Sequence, residues 1–252
     1  MQKTEIPSEQ AVVRAALLII GDEILSGRTR DANTAYLGQA LNERGIRLSE
    51  VRIVPDEKEE IVAAVLALKD RYDFLFTTGG IGPTHDDITA ESVAEAFGVE
   101  LWQHPDAYAV LLDYYGEEKL NSARLRMASV PKGAELIPNP LTAAPGFSME
   151  NVFVLAGVPK IMQALFAELS PRLTGGAPVL SETVTLPVGE GQIAGLLGEI
   201  AEKFPDVSIG SYPSATDSGF AVRIVVRSSK GQELSACLHE IHHRITAQYK
   251  SL

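Results

Sequence analysis

The sequence has few of the features that cross-link a chain or anchor it to a membrane. It contains one cysteine, Cys237, so no disulfide can form within the chain, which fits a reducing compartment. The most apolar early run, residues 12–20, includes Arg14 and is too short to span a membrane. The first ten residues are polar and lack the apolar centre of a signal peptide. We therefore expect a cytoplasmic protein without a membrane partner.

Clusters of basic residues are also lacking. The net charge is −11, and no block of Lys and Arg reverses that charge locally, which argues against a nucleic-acid partner. With 252 residues, 45% of them hydrophobic and 22% charged, the chain has the composition of a globular protein. In so acidic a chain, a phosphorylated ligand would need a metal ion or backbone N–H groups to hold it.

Apolar runs alternate with amphipathic helical patterns through residue 170. Asp56, three residues before Glu59, is close to a capping box and predicts the start of one helix. This alternation favours βαβ units and a parallel sheet. Strand patterns cover 15–20, 74–78 and 151–156, and helical patterns cover 34–44, 61–68, 89–97, 105–112 and 161–169.

The pattern changes after a segment rich in proline and glycine, residues 171–178, which we interpret as a linker. Residues 178–252 combine strand and helix patterns in a small α+β domain. The larger domain is predicted over residues 12–174, and residues 1–11 are predicted to form a loose arm.

The most specific motif directly follows the strand predicted at 74–78. Its glycines would let backbone N–H groups approach a ligand closely, and a helix starting near Thr89 would direct its positive end there. It is neither a P-loop nor a Rossmann fingerprint, because no Gly-Lys-Ser/Thr follows and His85 replaces the third glycine. The candidate ligand-binding residues are Thr78, Gly79, Gly80, Gly82, Pro83, Thr84 and Thr89.

Two adjacent acids, Asp86 and Asp87, lie in the same motif and would repel a bare phosphate. A divalent cation between them and the phosphate would remove that repulsion, and Mg²⁺ prefers oxygen ligands of this kind. Alternatively, one of the two aspartates is the N-cap of the following helix.

A second acidic motif, Gly21-Asp22-Glu23, directly follows the first predicted strand. Asp31 and Asn33 come shortly after it in the chain. Carboxyl ends of parallel strands lie at one edge of a sheet, so this motif can reach the glycine-rich turn. The alternative interpretation is an Asp/Gly turn with a solvated glutamate.

These motifs occur in an order that resembles the MoaB/Mog-type molybdopterin-binding domain, and most closely the amino-terminal region of CinA proteins. The resemblance covers roughly residues 13–170. It implies a three-layer α/β/α fold with a mostly parallel sheet, followed by a small α+β domain. The sequence ends at Leu252, before the deamidase domain of CinA. The matching segments are 21–23, Asn33, 79–84, 86–89, 144–147 and 157–159, with 211–213 in the small domain.

The resemblance also implies chemistry on a phosphorylated pterin- or nucleotide-type ligand. CinA-like relatives are linked to divalent-metal-dependent hydrolysis of the pyrophosphate in ADP-ribose, and other members adenylylate molybdopterin with Mg-ATP. Mg²⁺ is the expected metal, with Mn²⁺ or Co²⁺ as alternatives, and a homodimer or homotrimer is expected. A binding module without turnover and an adenylyltransferase remain open. The implied catalytic residues are Asp87, Asp86 and Glu23, the implied metal ligands Asp87, Asp86 and Asp22, and the further ligand contacts Gly21, Asp22, Asn33, Pro145 and Gly146.

Two positions depart from the family pattern. Thr142-Ala143 stands where the family usually has Gly-Thr, and Ile161 takes the place of a glutamate. These differences weaken the expectation of turnover more than the expectation of binding.

The pattern His239-Glu240-Ile241-His242-His243 matches the H-E-x-x-H signature of zinc proteases. The apolar stripe of the same predicted helix, which includes Cys237 and Ile241, leaves the histidines beside it. We therefore expect a solvated helix face and no zinc.

Overall fold

The chain divides between Gly176 and Ala177 into two compact units. The computed structural model describes residues 12–216 and 219–248, so the predicted arm 1–11 lies outside the described residues. The division between the units falls inside the segment 171–178 that the sequence marks as a linker.

The first unit is built on a six-stranded mixed sheet. Its strands are β1 (Val13–Ile20), β2 (Ile46–Val54), β3 (Phe74–Thr78), β6 (Glu135–Ile137), β7 (Gly146–Met149) and β8 (Val152–Leu155). The order is β2-β1-β3-β8-β7-β6, in which the first four strands pair in parallel and β7 pairs antiparallel with both β8 and β6. A separate pair joins β4 (Leu101–Gln103) to β5 (Ser129–Pro131).

Helices cover both faces of this sheet. The helices of this unit are α1 (Asp22–Leu25), α2 (Asn33–Asn42), α3 (Lys58–Lys69), α4 (Thr89–Ala96), α5 (Pro105–Tyr115), α6 (Ser122–Leu125) and α7 (Pro159–Leu169), with 3₁₀ turns at Arg126–Ala128 and Ser170–Arg172. Alternate residues of β1 point to opposite faces, since a strand has a period of two. Leu18 packs with α3 and α4, and Leu17 packs with α2 and α7. The predicted three-layer α/β/α fold is therefore confirmed.

The start of α3 differs from the prediction. The helix begins at Lys58 with Glu57 as its N-cap, and no side chain caps it. Asp56 instead accepts a hydrogen bond from the Asp22 backbone N–H at 2.9 Å. The predicted capping box is wrong because this carboxylate serves a neighbouring loop and not its own helix.

The second unit is the predicted small α+β domain. It contains β9 (Leu180–Leu186), α8 (Glu190–Lys203), β10 (Ser208–Thr216), β11 (Gly219–Ser228) and α9 (Gly231–Gln248), with an antiparallel sheet in the order β10-β11-β9. Cys237 is fully buried in its core, and burial raises the pKa of the thiol. His239 and His243 on α9 are exposed, as expected for a solvated face. Across the described residues, no helix combines the length and hydrophobicity needed to cross a bilayer.

Candidate functional site

The carboxyl ends of β1, β2, β3 and β8 lie at one edge of the large sheet and open into a cleft. The cleft has a volume of about 710 Å³. Loops that follow three of these strands contribute Glu23, Asp56 and Gly80 to its lining, and the loop after β8 contributes Val158. Ligands of doubly wound sheets bind at this position, because several loops converge there.

The glycine-rich turn lies directly against the end of β1. Gly79 has a φ of 105°, and a β-carbon there would lie 2.1 Å from the carbonyl oxygen of Ile20. Gly80 has a φ of 64°, and its β-carbon would lie 2.2 Å from the Thr89 hydroxyl. Only glycine fits both positions, which explains the motif and exposes the backbone of the turn to the cleft.

Two residues predicted to contact the ligand, Thr78 and Thr89, do not line the cleft, and Thr89 instead holds the turn in place. Thr89 is fully buried, and its hydroxyl donates to the Gly79 carbonyl at 2.9 Å while its N–H donates to Gly80 at 3.0 Å. Thr78 is also buried, and its hydroxyl has no partner. The cleft itself is lined by Gly79, Gly80, Gly82 and Pro83.

Asp87 closes the loop that follows the turn. Its Oδ2 accepts hydrogen bonds from the Thr84 backbone N–H at 2.8 Å and from the Thr84 hydroxyl at 2.6 Å. The N-cap of α4 is Ile88, so the alternative that an aspartate caps this helix is wrong. Thr84 also lowers the pKa of Asp86. Asp86 and Asp87 both line the cleft, together with the glycine-rich turn.

A further acid, Asp56, joins them from the end of β2. Burial raises the pKa of Asp56, the carboxylates of Asp22, Glu23 and Asp86 raise it further, and the hydrogen bond from the Asp22 N–H opposes the shift. Glu23 folds back over Gly21, where a β-carbon would lie 2.6 Å from the glutamate Oε2. The acidic residues after β1 and β3 thus share one electrostatic environment.

These acids do not form a ready-made metal cage. No group of three or more His, Cys, Asp or Glu side chains among residues 12–216 and 219–248 is arranged to hold a metal ion. Glu23, Asp56, Asp86 and Asp87 line the cleft, whereas Asp22 lies beside it and contributes its backbone N–H to Asp56.

Asn33 connects the segment after β1 to the loop after β8. Its Nδ2 donates to the Gly157 carbonyl at 2.8 Å, and its Oδ1 is buried without a partner. Gly157 in turn packs on the glycine-rich turn, since a β-carbon there would approach the Gly79 Cα to 3.2 Å. Asn33 therefore positions the loop after β8 against that turn.

The loop before β7 forms another edge of the cleft. Asn139 holds it by donating to the Thr142 hydroxyl and to the Ala144 carbonyl, each at 2.7 Å. Gly146 packs against the backbone of β8, with its β-carbon position 2.6 Å from the Val154 carbonyl oxygen. Pro145 lines a separate cavity of about 270 Å³ and is not among the residues that line the main cleft.

The remaining wall comes from α5 and α6, which the sequence did not associate with the site. The Arg124 guanidinium carbon lies 4.3 Å from the centre of the Tyr115 ring, and Arg124 donates a hydrogen bond to the Lys119 carbonyl. Tyr115 and Met127 pack on a small cluster that includes Ala107 and Leu111. No motif marks residues 115–127, so this wall is found only through the fold.

Two families match this chain. Residues 16–175, more than half of the chain, match the family described as "Probable molybdopterin binding domain". This chain belongs to that family. Residues 178–251 match the family described as "FAD synthase, middle domain". The molybdopterin-binding domain therefore holds every residue that lines the cleft.

Known relatives of this molybdopterin-binding domain protein include CinA-like proteins, which confirms the predicted family. A "CinA-like protein" of Citrifermentans bemidjiense is 37% identical over 230 residues, which cover 82% of this chain and 55% of that protein. A protein of Aeropyrum pernix is 36% identical over 237 residues, 88% of each chain. The crystal structure of "the protein CinA with unknown function" from Thermoplasma acidophilum has a TM-score of 0.60 and 35% identity, covering 63% of this chain and 96% of that one.

The two departures from the family pattern both lie at the cleft of the molybdopterin-binding domain. Thr142 and Ile161 line it. Ala143 is buried and has a φ of 61°, a left-handed conformation that is rare for residues other than glycine. The chain therefore has an apolar side chain at Ile161 and a left-handed backbone at Ala143, where the resemblance implies a glutamate and a hydroxyl.

Proposed function

We propose that the cleft binds a phosphorylated pterin- or nucleotide-type ligand and that the protein hydrolyses a pyrophosphate bond of the kind found in ADP-ribose, with a divalent metal. The observation that carries this proposal is the convergence of a side-chain-free backbone turn and several carboxylates on one cleft of about 710 Å³. That volume falls within the range of about 300–1,000 Å³ typical of small-molecule sites.

The phosphate end of the ligand is assigned to the turn. Gly80 and Gly82 line the cleft and carry no side chain that would keep a phosphate oxygen away from the backbone. Successive backbone N–H groups in a turn attract anions. In an acidic cleft, such neutral donors bind phosphate without adding a side-chain charge of their own.

The acidic residues suit a hard divalent cation. Glu23, Asp86 and Asp87 offer carboxylate oxygens around the cleft. Mg²⁺ is commonly held by one or two carboxylates together with substrate phosphates and water, so this donor set fits it without a three-residue cage. Such a cation would neutralise the pyrophosphate and lower the pKa of a bound water.

Proton transfer is assigned to a carboxylate of the same group. Asp56 lines the cleft, and its raised pKa makes it a stronger base than an ordinary aspartate. The hydrogen bond from the Asp22 N–H fixes its orientation. Asp56 can therefore accept a proton from a water that attacks one phosphorus, while the bond from that phosphorus to the bridging oxygen breaks and the second phosphate leaves with that oxygen.

The test is release of AMP from ADP-ribose in the presence of Mg²⁺, Mn²⁺ or Co²⁺. Glu23→Gln and Asp56→Asn are each expected to lower kcat by about 100-fold or more, the usual contribution of a positioned acid or base. Asp113→Asn, on the exposed side of α5, is the matched control and should leave kcat unchanged. Equal kcat values for all variants and the unaltered protein would refute the hydrolytic mechanism.

A second candidate is binding without turnover, favoured by the apolar Ile161 and the altered Thr142-Ala143 loop at the cleft. It predicts tight binding of ADP-ribose or of a pterin phosphate with no product under any of the three metals. An adenylyltransferase activity would instead release pyrophosphate from Mg-ATP when molybdopterin is present.

A further inference from the structure

We infer that Tyr115 and Arg124 form the seat for the planar heteroaromatic ring of the ligand, a purine or a pterin. This inference rests on the proposed function and extends it, since it assigns the ring end of the same ligand. The ring would lie against the Tyr115–Arg124 pair while the phosphates lie against the glycine-rich turn.

The two sides of the cleft differ in chemistry and in origin. The strand ends supply backbone and carboxylates, including Gly80, Glu23 and Asp86. The other side comes from outside the main sheet, where Tyr115 and Met127 pack on their own hydrophobic cluster and also line the cleft. An apolar and aromatic side is suited to a flat ring, and a polar backbone side is suited to phosphate.

Arg124 is held in a position suited to stacking. Its guanidinium covers the Tyr115 ring at 4.3 Å, and its hydrogen bond to the Lys119 carbonyl restrains the head group. Its backbone N–H is bonded to the Asn121 side chain at 3.0 Å, which fixes the start of α6. A planar guanidinium stacks on aromatic rings through both dispersion and charge, so it can hold a ligand ring as it holds the tyrosine.

Arg124 could instead act as a charge that clamps phosphate. The two roles differ in one measurable respect, because a phosphate clamp affects all diphosphates equally, whereas a ring seat affects only those that carry a ring. Three probes separate them: ADP, a pterin bearing a diphosphate, and inorganic pyrophosphate, each titrated by calorimetry with Mg²⁺ on the full chain.

The unaltered protein should bind at least one ring-bearing diphosphate about tenfold or more tightly than pyrophosphate, as expected for stacking of one base. The ring that gains more, purine or pterin, identifies the ligand class. Arg124→Met and Arg124→Lys should both remove most of this gain and leave pyrophosphate binding unchanged. Tyr115→Leu should have the same effect, and Tyr115→Phe should retain the gain. Arg47→Met, at an exposed position of β2, is the control.

An equal loss for all three probes in Arg124→Met, with affinity restored in Arg124→Lys, would overturn the inference and make Arg124 a phosphate ligand. Unchanged ring-dependent affinity in both Arg124→Met and Tyr115→Leu would also overturn it. Failure of the unaltered protein to bind any of the three probes would refute the proposed function as well.

Discussion

At Gly79 the backbone passes so close to the end of β1 that no side chain can be accommodated. The β-carbon position lies 2.1 Å from a backbone oxygen, which cannot move aside as a flexible side chain could. Gly98 provides a comparison, because its φ of 66° is also positive but no atom other than those of its chain neighbours lies within 4 Å of its β-carbon position. The pair separates the cost of a positive φ from the cost of a steric clash.

Gly79→Ala should lower the free energy of unfolding of the first unit by at least about 3 kcal/mol, because strain and clash act together. Gly98→Ala should cost only about 1 kcal/mol. Urea unfolding followed by the fluorescence of Trp102, the single tryptophan of the chain, measures both. Equal losses for the two variants would contradict the steric argument.

The carboxylate of Asp56 lowers the stability of the folded protein by an amount that depends on pH. Because its pKa is raised in the folded protein, the folded state binds the proton more tightly than the unfolded state, and stability is lost as pH rises through the folded pKa. Asp56→Asn keeps an oxygen that can accept the hydrogen bond from Asp22 but removes the charge. The variant should therefore unfold at higher urea concentration at neutral pH.

This gain should disappear below about pH 3.9, the ordinary pKa of an aspartate, where the side chain is protonated in both states. The comparison requires unfolding curves at several pH values, with Asp113→Asn as the exposed control. A stabilisation of Asp56→Asn that persists unchanged at low pH would show that charge is not its cause.

Helix α4 and the glycine-rich turn form one structural element, joined by Thr89. The Thr89 hydroxyl is the donor for a buried carbonyl of the turn. Thr89→Val has nearly the same shape but leaves that carbonyl without its partner, so it should cost about 1–3 kcal/mol of stability and weaken ligand binding. Thr89→Ser retains the hydroxyl and should recover most of the binding, as measured by titration with ADP-ribose.

The sequence predicts three strands of the large sheet, each a continuous run of mostly buried residues. Strand β3 was predicted at its observed bounds, and β1 and β8 to within two residues, because each is a continuous apolar run. Strand β2 was not predicted. Between its buried ends it alternates exposed and half-buried residues, and it includes Arg47, Glu50 and Arg52, so its polar composition concealed it.

Sequence motifs group the cleft residues that directly follow predicted strands and miss the others. Gly79, Gly80 and Asp87 belong to one segment, so the sequence could group them. Asp56 follows the strand that was not predicted, and Arg124 enters the cleft from a distant helix. Their positions depend on chain crossings and packing that local patterns do not encode.

At the scale of the whole molecule, the cleft belongs to one unit. Its lining residues run from Ile20 to Ile161, and the division of the chain lies beyond them. A chain that ends at Gly176 should therefore fold and bind the ligand with an affinity within about twofold of the full chain, as expected for a unit with its own core. Calorimetric titration of both chains checks this, and loss of binding in the shorter chain would show that the second unit is needed.

The single buried cysteine has a practical consequence for that division. Cys237 lies in the core of the second unit, whereas the single tryptophan, Trp102, lies in the first. A thiol reagent can reach Cys237 only when its surroundings open, so the rate of labelling reports transient opening of the second unit alone. The chain thus carries one native reporter in each unit, the fluorescence of Trp102 and the labelling of Cys237, so opening of the two units can be compared without substituting any residue.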